Sequence, residues 1–175
     1  MFDKEYSFRG SHAEKVNRLT AEFDNKGNKL FTRNYDVYLI APVVGFLYGV
    51  KADLDKDGGK DTKIFGDILI KNKDDLLFNY RLIMLLDKNN EPNIDERVNK
   101  AFRYYGDEKA KYDEELYEQY VRGGVDKLYE KLIGTAKNSE DYLRNLYYFM
   151  DEVDDRYNRA ISADSILDLC RLNKN

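Results

Sequence analysis

The segment Asp53-Leu54-Asp55-Lys56-Asp57-Gly58 has the clearest metal-binding spacing in the chain. Three carboxylates at alternate positions, followed by a glycine for the sharp turn, open a calcium loop of the EF-hand type. Asp61 falls at the ninth position and adds a further ligand. The twelfth position should be a bidentate glutamate and is Ile64, and the eighth is the cation Lys60. The loop therefore reads as a solvated acidic turn. Asp53, Asp55, Asp57 and Asp61 are the metal candidates it offers, and specific calcium binding is not expected.

A second acidic group, Asp151, Glu152, Asp154 and Asp155, is followed by Arg156 and Arg159. Paired carboxylates can hold magnesium for phosphoryl transfer. A metal-dependent nuclease built on Asp53, Asp55 and Asp57, or on Asp151, Glu152 and Asp155, is thus one alternative, and a calcium-binding module is another. Against the first, Glu152 and Arg156 stand four residues apart, the spacing of an ion pair on a solvated helix face. His12 is the only histidine, so a multi-histidine metal site is excluded. The chain has no Gly-x-Ser-x-Gly elbow, phosphate loop or dinucleotide fingerprint. His12 reads as a surface or helix-capping residue. Cys170, the only cysteine, cannot form an intrachain disulfide and reads as a buried structural thiol. No catalytic residue and no cofactor is expected, and the lone thiol fits a reducing cytoplasm.

The elements that would carry these residues are mostly helices. Ser11 and Glu14 form a capping box, with Val16, Leu19 and Phe23 behind it at helical spacing. A second helix over 35–48 is apolar on nearly all sides past its first turn and is expected to be central. Pro42 should bend it, Gly45 should allow close packing and Gly49 should end it. After the polar loop 51–63, residues 64–70 are either a short strand or extended chain that drops Ile64 and Ile68 into the core.

Asn72 and Asn93 are read as caps of two further helices. The first buries Leu76, Leu77, Tyr80, Ile83 and Leu86. The second buries Val98, Ala101, Phe102 and Tyr105. A charged helix over 108–122 places Tyr112, Leu116 and Tyr120 on one stripe. Gly123-Gly124 is expected to interrupt it before a short helix over 125–133. After a boundary at 134–138, Ser139 caps a long helix with Tyr142, Leu143, Leu146, Phe149, Met150, Val153 and Tyr157 inward. A last helix covers 163–172. The fold class is mainly α, a compact bundle of about six or seven helices with one minor β element near 64–70. Residues 1–175 form one domain, with a core over 11–134 and appended C-terminal helices over 139–172.

Charge narrows the partners. A net charge of −4 argues against broad non-specific nucleic-acid binding, which needs a large positive field. Residues 1–34 nevertheless carry seven basic against five acidic side chains. Lys4, Arg9, Lys15 and Arg18 are the candidate DNA-contacting residues there. The N-terminus is charged from the start and is not read as a signal peptide. No apolar run reaches the length of about 20 residues that a membrane span needs. Fifteen Tyr with no Trp fit a core edged with hydroxyls, or a protein-binding surface.

From residue 30 to 133, Phe31, the apolar helix from Asn34 into Val44-Gly45-Phe46, the piece from Ile64 to Ile70 and the Gly123-Gly124 element stand in an order that resembles small proteins associated with bacterial DNA phosphorothioation (dnd-type) systems. Phe31 precedes the helix Asn34-Tyr35-Asp36-Val37-Tyr38-Leu39-Ile40-Ala41, which leads to Val44-Gly45-Phe46 and a polar loop. An isoleucine-containing extended piece, a leucine-rich helix and Tyr120-Val121-Arg122-Gly123-Gly124-Val125-Asp126-Lys127-Leu128 follow. The acidic loop at Asp53 to Asp61 departs from the pattern, where basic residues are expected, as do the helices after Gly134. The resemblance carries no catalytic signature. It implies a cytoplasmic, non-enzymatic accessory protein of an anti-phage defence or DNA-modification system. Such a protein would act through protein partners, with DNA as a second and weakly held one.

Overall fold

A computed structural model describes residues 1–55 and 59–158, and it is mainly α-helical with one small sheet. Strand β1 (Tyr6–Arg9) leads into α1 (Gly10–Leu19), and α2 (Asn34–Tyr48) follows. Strand β2 (Asp61–Ile64) then precedes α3 (Gly66–Lys71), α4 (Lys73–Leu86) and α5 (Ile94–Phe102). A 3-10 turn (Glu108–Ala110) introduces α6 (Lys111–Leu132), and α7 (Ser139–Asn158) packs onto α6. The expected helix over 163–172, with Cys170, lies outside the described residues, as do Asp57 and Arg159.

The largest helix–helix interface is α2 against α6. It explains why Gly123-Gly124 does not interrupt α6, contrary to the sequence expectation. A Cβ on Gly124 would run into the Ala41 carbonyl, one on Gly123 into the Val50 carbonyl, and one on Gly45 into the Tyr120 carbonyl. Gly45 and Gly124 let the two helix backbones touch, and Gly123 admits the chain just past the end of α2. Glycine inside a helix costs about 1 kcal/mol relative to alanine, and the contact offsets that cost. Gly49 ends α2 at φ 64°, as its left-handed preference requires. At the other end Asp36 accepts from the Arg33 backbone N–H at 2.8 Å.

The minor β element sits earlier than expected. Tyr6 pairs with Ile64 and Phe8 with Thr62 in an antiparallel ladder. This turns Phe8, Thr62 and Ile64 inward and leaves Arg9, Asp61 and Lys63 outside. Residues 66–71 are helical, with Phe65 as the N-cap and Leu69 as the buried residue of α3. The core also begins before residue 11, since Phe2 and Phe8 are fully buried. Phe2 meets Tyr38 and Tyr117 edge-on, at centroid distances of 6.4 and 5.8 Å.

Helix caps show where short-range patterns mislead. Ser11 makes no side-chain cap, and Arg9 is the N-cap of α1. The Ser11 backbone N–H donates instead to Asp55 Oδ2 at 2.9 Å. Helix α1 stops at Leu19, and Phe23 stacks on Tyr142 at 5.3 Å. The Asn93 cap is present, with its side chain accepting from the Asp95 and Glu96 N–H groups. Asn72 makes no side-chain cap and donates to the Ile68 carbonyl. Asn138, not Ser139, caps α7, while Ser139 Oγ donates to the Phe23 carbonyl at 2.9 Å.

Several aromatic and aliphatic residues expected inside are exposed. Leu86, Phe102, Tyr112, Leu143 and Met150 all face outward. Leu39 and Phe46 are only half-buried, and the buried face of α2 runs through Val37, Tyr38, Ala41 and Val44.

Candidate functional site

Asp53, Asp55 and Glu152, among the carboxylates singled out in the sequence, tie elements of the fold together. Asp55 accepts from the first turn of α1, where a negative charge also suits the helix dipole. Asp53 accepts from Gln119 Nε2 at 3.5 Å, which ties the loop to α6. Asp61 is on the outer face of β2 opposite Arg9. Glu152 pairs with Lys131 at 2.6 Å and with Arg156 at 2.8 Å, which hold its carboxyl below the ordinary range. Among the described residues no three His, Cys, Asp or Glu side chains gather where they could hold a metal ion.

His12 is buried between α1 and α6, which corrects the surface assignment. Its Nε2 lies 3.3 Å from Asp126 Oδ1, and neither ring nitrogen makes a hydrogen bond. Lys15 donates to the same oxygen at 2.7 Å. Burial pushes the Asp126 carboxyl up, but His12 and Lys15 outweigh it and leave the group below the usual range. Of the four candidate DNA-contacting residues, the structure brings two together. Lys15 and Arg18 share the wall of a cleft of about 460 Å³ with Lys60, Asn17 and Tyr129. Lys15 is committed to Asp126, and Lys60 stands 3.8 Å from Glu14. Lys4 precedes β1 and Arg9 is on its outer face, and neither lines that cleft.

A buried carboxyl that the sequence did not flag sits at the foot of another cleft. Glu118, on α6, accepts from the Tyr38 hydroxyl at 3.0 Å, and Tyr6 faces the same group. Its Oε2 is buried with no hydrogen-bond partner. Burial raises its pKa to about 7, against the pull of Tyr6, Tyr38 and Arg122. Arg122, one turn on, does not neutralise it directly. That guanidinium donates to Glu115 at 2.6 Å and to the Ala52 carbonyl at 2.8 Å. The cleft holds about 360 Å³ and is walled by Tyr6, Leu54 and Arg122. A carboxyl in this state can exchange a proton near neutral pH. Nothing local in the sequence marks Glu118, because the tyrosines that face it come from distant elements.

The most extensive unassigned feature is apolar surface. Helix α4 buries Leu76, Tyr80, Ile83 and Met84 on one side. Its other side lines a groove of about 400 Å³ with Leu77, Phe78, Leu82 and Leu85, beside Phe102 of α5. Phe78 is 64% exposed and Phe102 55%. On α7, Leu143, Tyr147 and Met150 form a second exposed stripe at helical spacing. No helix of the described residues is long and apolar enough to cross a membrane. Comparison with known protein families, curated proteins and solved structures finds no match.

Proposed function

We propose that this chain is a cytoplasmic, non-enzymatic accessory protein of a bacterial anti-phage defence or DNA-modification system. It works by assembling with protein partners and touches DNA only weakly. The observation that carries this reading is a helix, α4, with apolar side chains on both faces and only one of them covered. Contiguous exposed apolar surface marks interaction sites. The order of features over 30–133, which resembles the dnd-associated proteins, supports the choice of system. The Lys15, Arg18 and Lys60 cleft supports a weak phosphate contact.

The test is affinity capture of the full chain from its native host, with bound proteins identified by mass spectrometry. Recovery of a DNA-modifying or defence protein by the wild type, lost with Phe78→Glu, is the expected result. Capture of the same proteins by both, or of none, overturns the reading.

A further inference from the structure

We propose that the α4–α5 groove is filled by the α7 stripe of a second copy of this chain, an inference that rests on the assembly reading above. Apolar area alone would not choose an occupant; the charges beside it do. The groove carries Asp74 and Arg81 on one row of α4, seven residues apart. Arg81 lies over the Phe102 ring at 5.5 Å, and its Nε is buried with no hydrogen-bond partner. Among the described residues neither Arg81 nor Asp74 has an ion-pair partner.

On α7, the stripe of Leu143, Tyr147 and Met150 is flanked by Arg144 and Asp151, also seven residues apart and also on one row. Seven helical residues rise about 10.5 Å, so both charge pairs have the same reach. Laid parallel, α7 of one copy sets Arg144 against Asp74 and Asp151 against the unpartnered Arg81 guanidinium of the other. Laid antiparallel, the same row meets like charge with like. Arg144 already contacts Asp141 within its own helix but keeps more than half its side chain exposed. It can therefore share its guanidinium. Asp151 is exposed and unpaired among the described residues. The apolar side chains of the stripe then fall into the groove between Phe78 and Phe102. Because groove and stripe are different surfaces, the contact closes as a two-fold pair with two such junctions, or else extends as a chain.

Sedimentation of the purified full chain, with nothing else present, tests this. A mass above the monomer that grows with concentration is expected. Arg81→Asp or Asp151→Arg alone is expected to weaken association by about tenfold or more. Both changes in one chain restore the attraction with reversed sign, to within about threefold of wild type. Asp151 is exposed and Arg81 half-buried, and unchanged circular-dichroism melts confirm that the variants fold. A monomeric wild type at about 1 mM, or a double variant no better than either single one, overturns the proposal. Either result leaves the accessory-protein reading to the host capture experiment, which can succeed with a monomer.

Discussion

Glu118 shows how much a single residue can be held against its solution preference. In the unfolded chain it titrates near 4.5, and in the fold near 7. Below about pH 4.5 both states are protonated, and the residue is neutral in the balance. As pH rises toward 7 the unfolded chain ionises first, so the native state loses stability, and above 7 the loss is constant. The span from 4.5 to about 7 corresponds to about 3 kcal/mol. Glu118→Gln keeps an oxygen for Tyr38 and removes the charge. Its melting temperature is expected to exceed that of wild type at pH 8 and to converge with it at pH 4.5. Parallel curves across that range would mean that Glu118 ionises normally. Asp55 makes the opposite case, a carboxylate that accepts from the Ser11 N–H in the first turn of α1. Asp55→Ala is expected to cost about 1 kcal/mol in a urea melt. Adding calcium to the wild type should give no heat that this substitution removes.

At the scale of elements, the α2–α6 seam decides the architecture. Gly124→Ala adds one methyl group and improves intrinsic helix propensity by about 1 kcal/mol. It is nevertheless expected to destabilise by about 3 kcal/mol, because the new Cβ collides with the Ala41 carbonyl. A denaturant midpoint unchanged from wild type would remove the seam from the account. The seam also shows what the sequence could disclose. Gly45 is legible as a close-packing glycine, since it sits inside an apolar helix with no turn signal around it. Gly123-Gly124 is not, because adjacent glycines in a charged stretch look like a break and only the partner helix reveals otherwise. The apolar run of α2, the Asn93 cap and the position of α4 follow from local pattern. The strand at Asp61–Ile64 does not, because its partner is more than fifty residues away. Glu118 was invisible for a related reason: its burial comes from Tyr6 and Tyr38, on two distant elements. The outward turn of Leu143 and Met150 escaped because a stripe of apolar residues predicts burial without saying what covers it.

For the whole molecule, the charge balance limits contact with nucleic acid. With Lys15 held by Asp126, the cleft beside α1 offers few free cations. Binding to duplex DNA is expected to be weak at low salt and to vanish at modest salt, with a shallow salt dependence. Arg18→Glu is expected to weaken it equally for unrelated sequences in a fluorescence-anisotropy titration. A steep salt slope or a strong preference for one sequence would assign the chain a direct DNA-reading role. The purified protein is also expected to leave DNA and RNA uncut with magnesium or manganese. Metal-dependent cleavage that disappears with Asp55→Ala or Asp155→Ala would promote the nuclease alternative instead.

The bare backbone contact between α2 and α6 has a further consequence for how the protein breathes. Where side chains separate two helices, rotamer changes can open a path for water. At Gly45, Gly123 and Gly124 no side chain is present to move, so solvent reaches the peptide groups only when the helices part. The amide hydrogens of 41, 43–45 and 121–125 are therefore expected to exchange with deuterium at the rate of global unfolding, while those of α7 exchange through local openings.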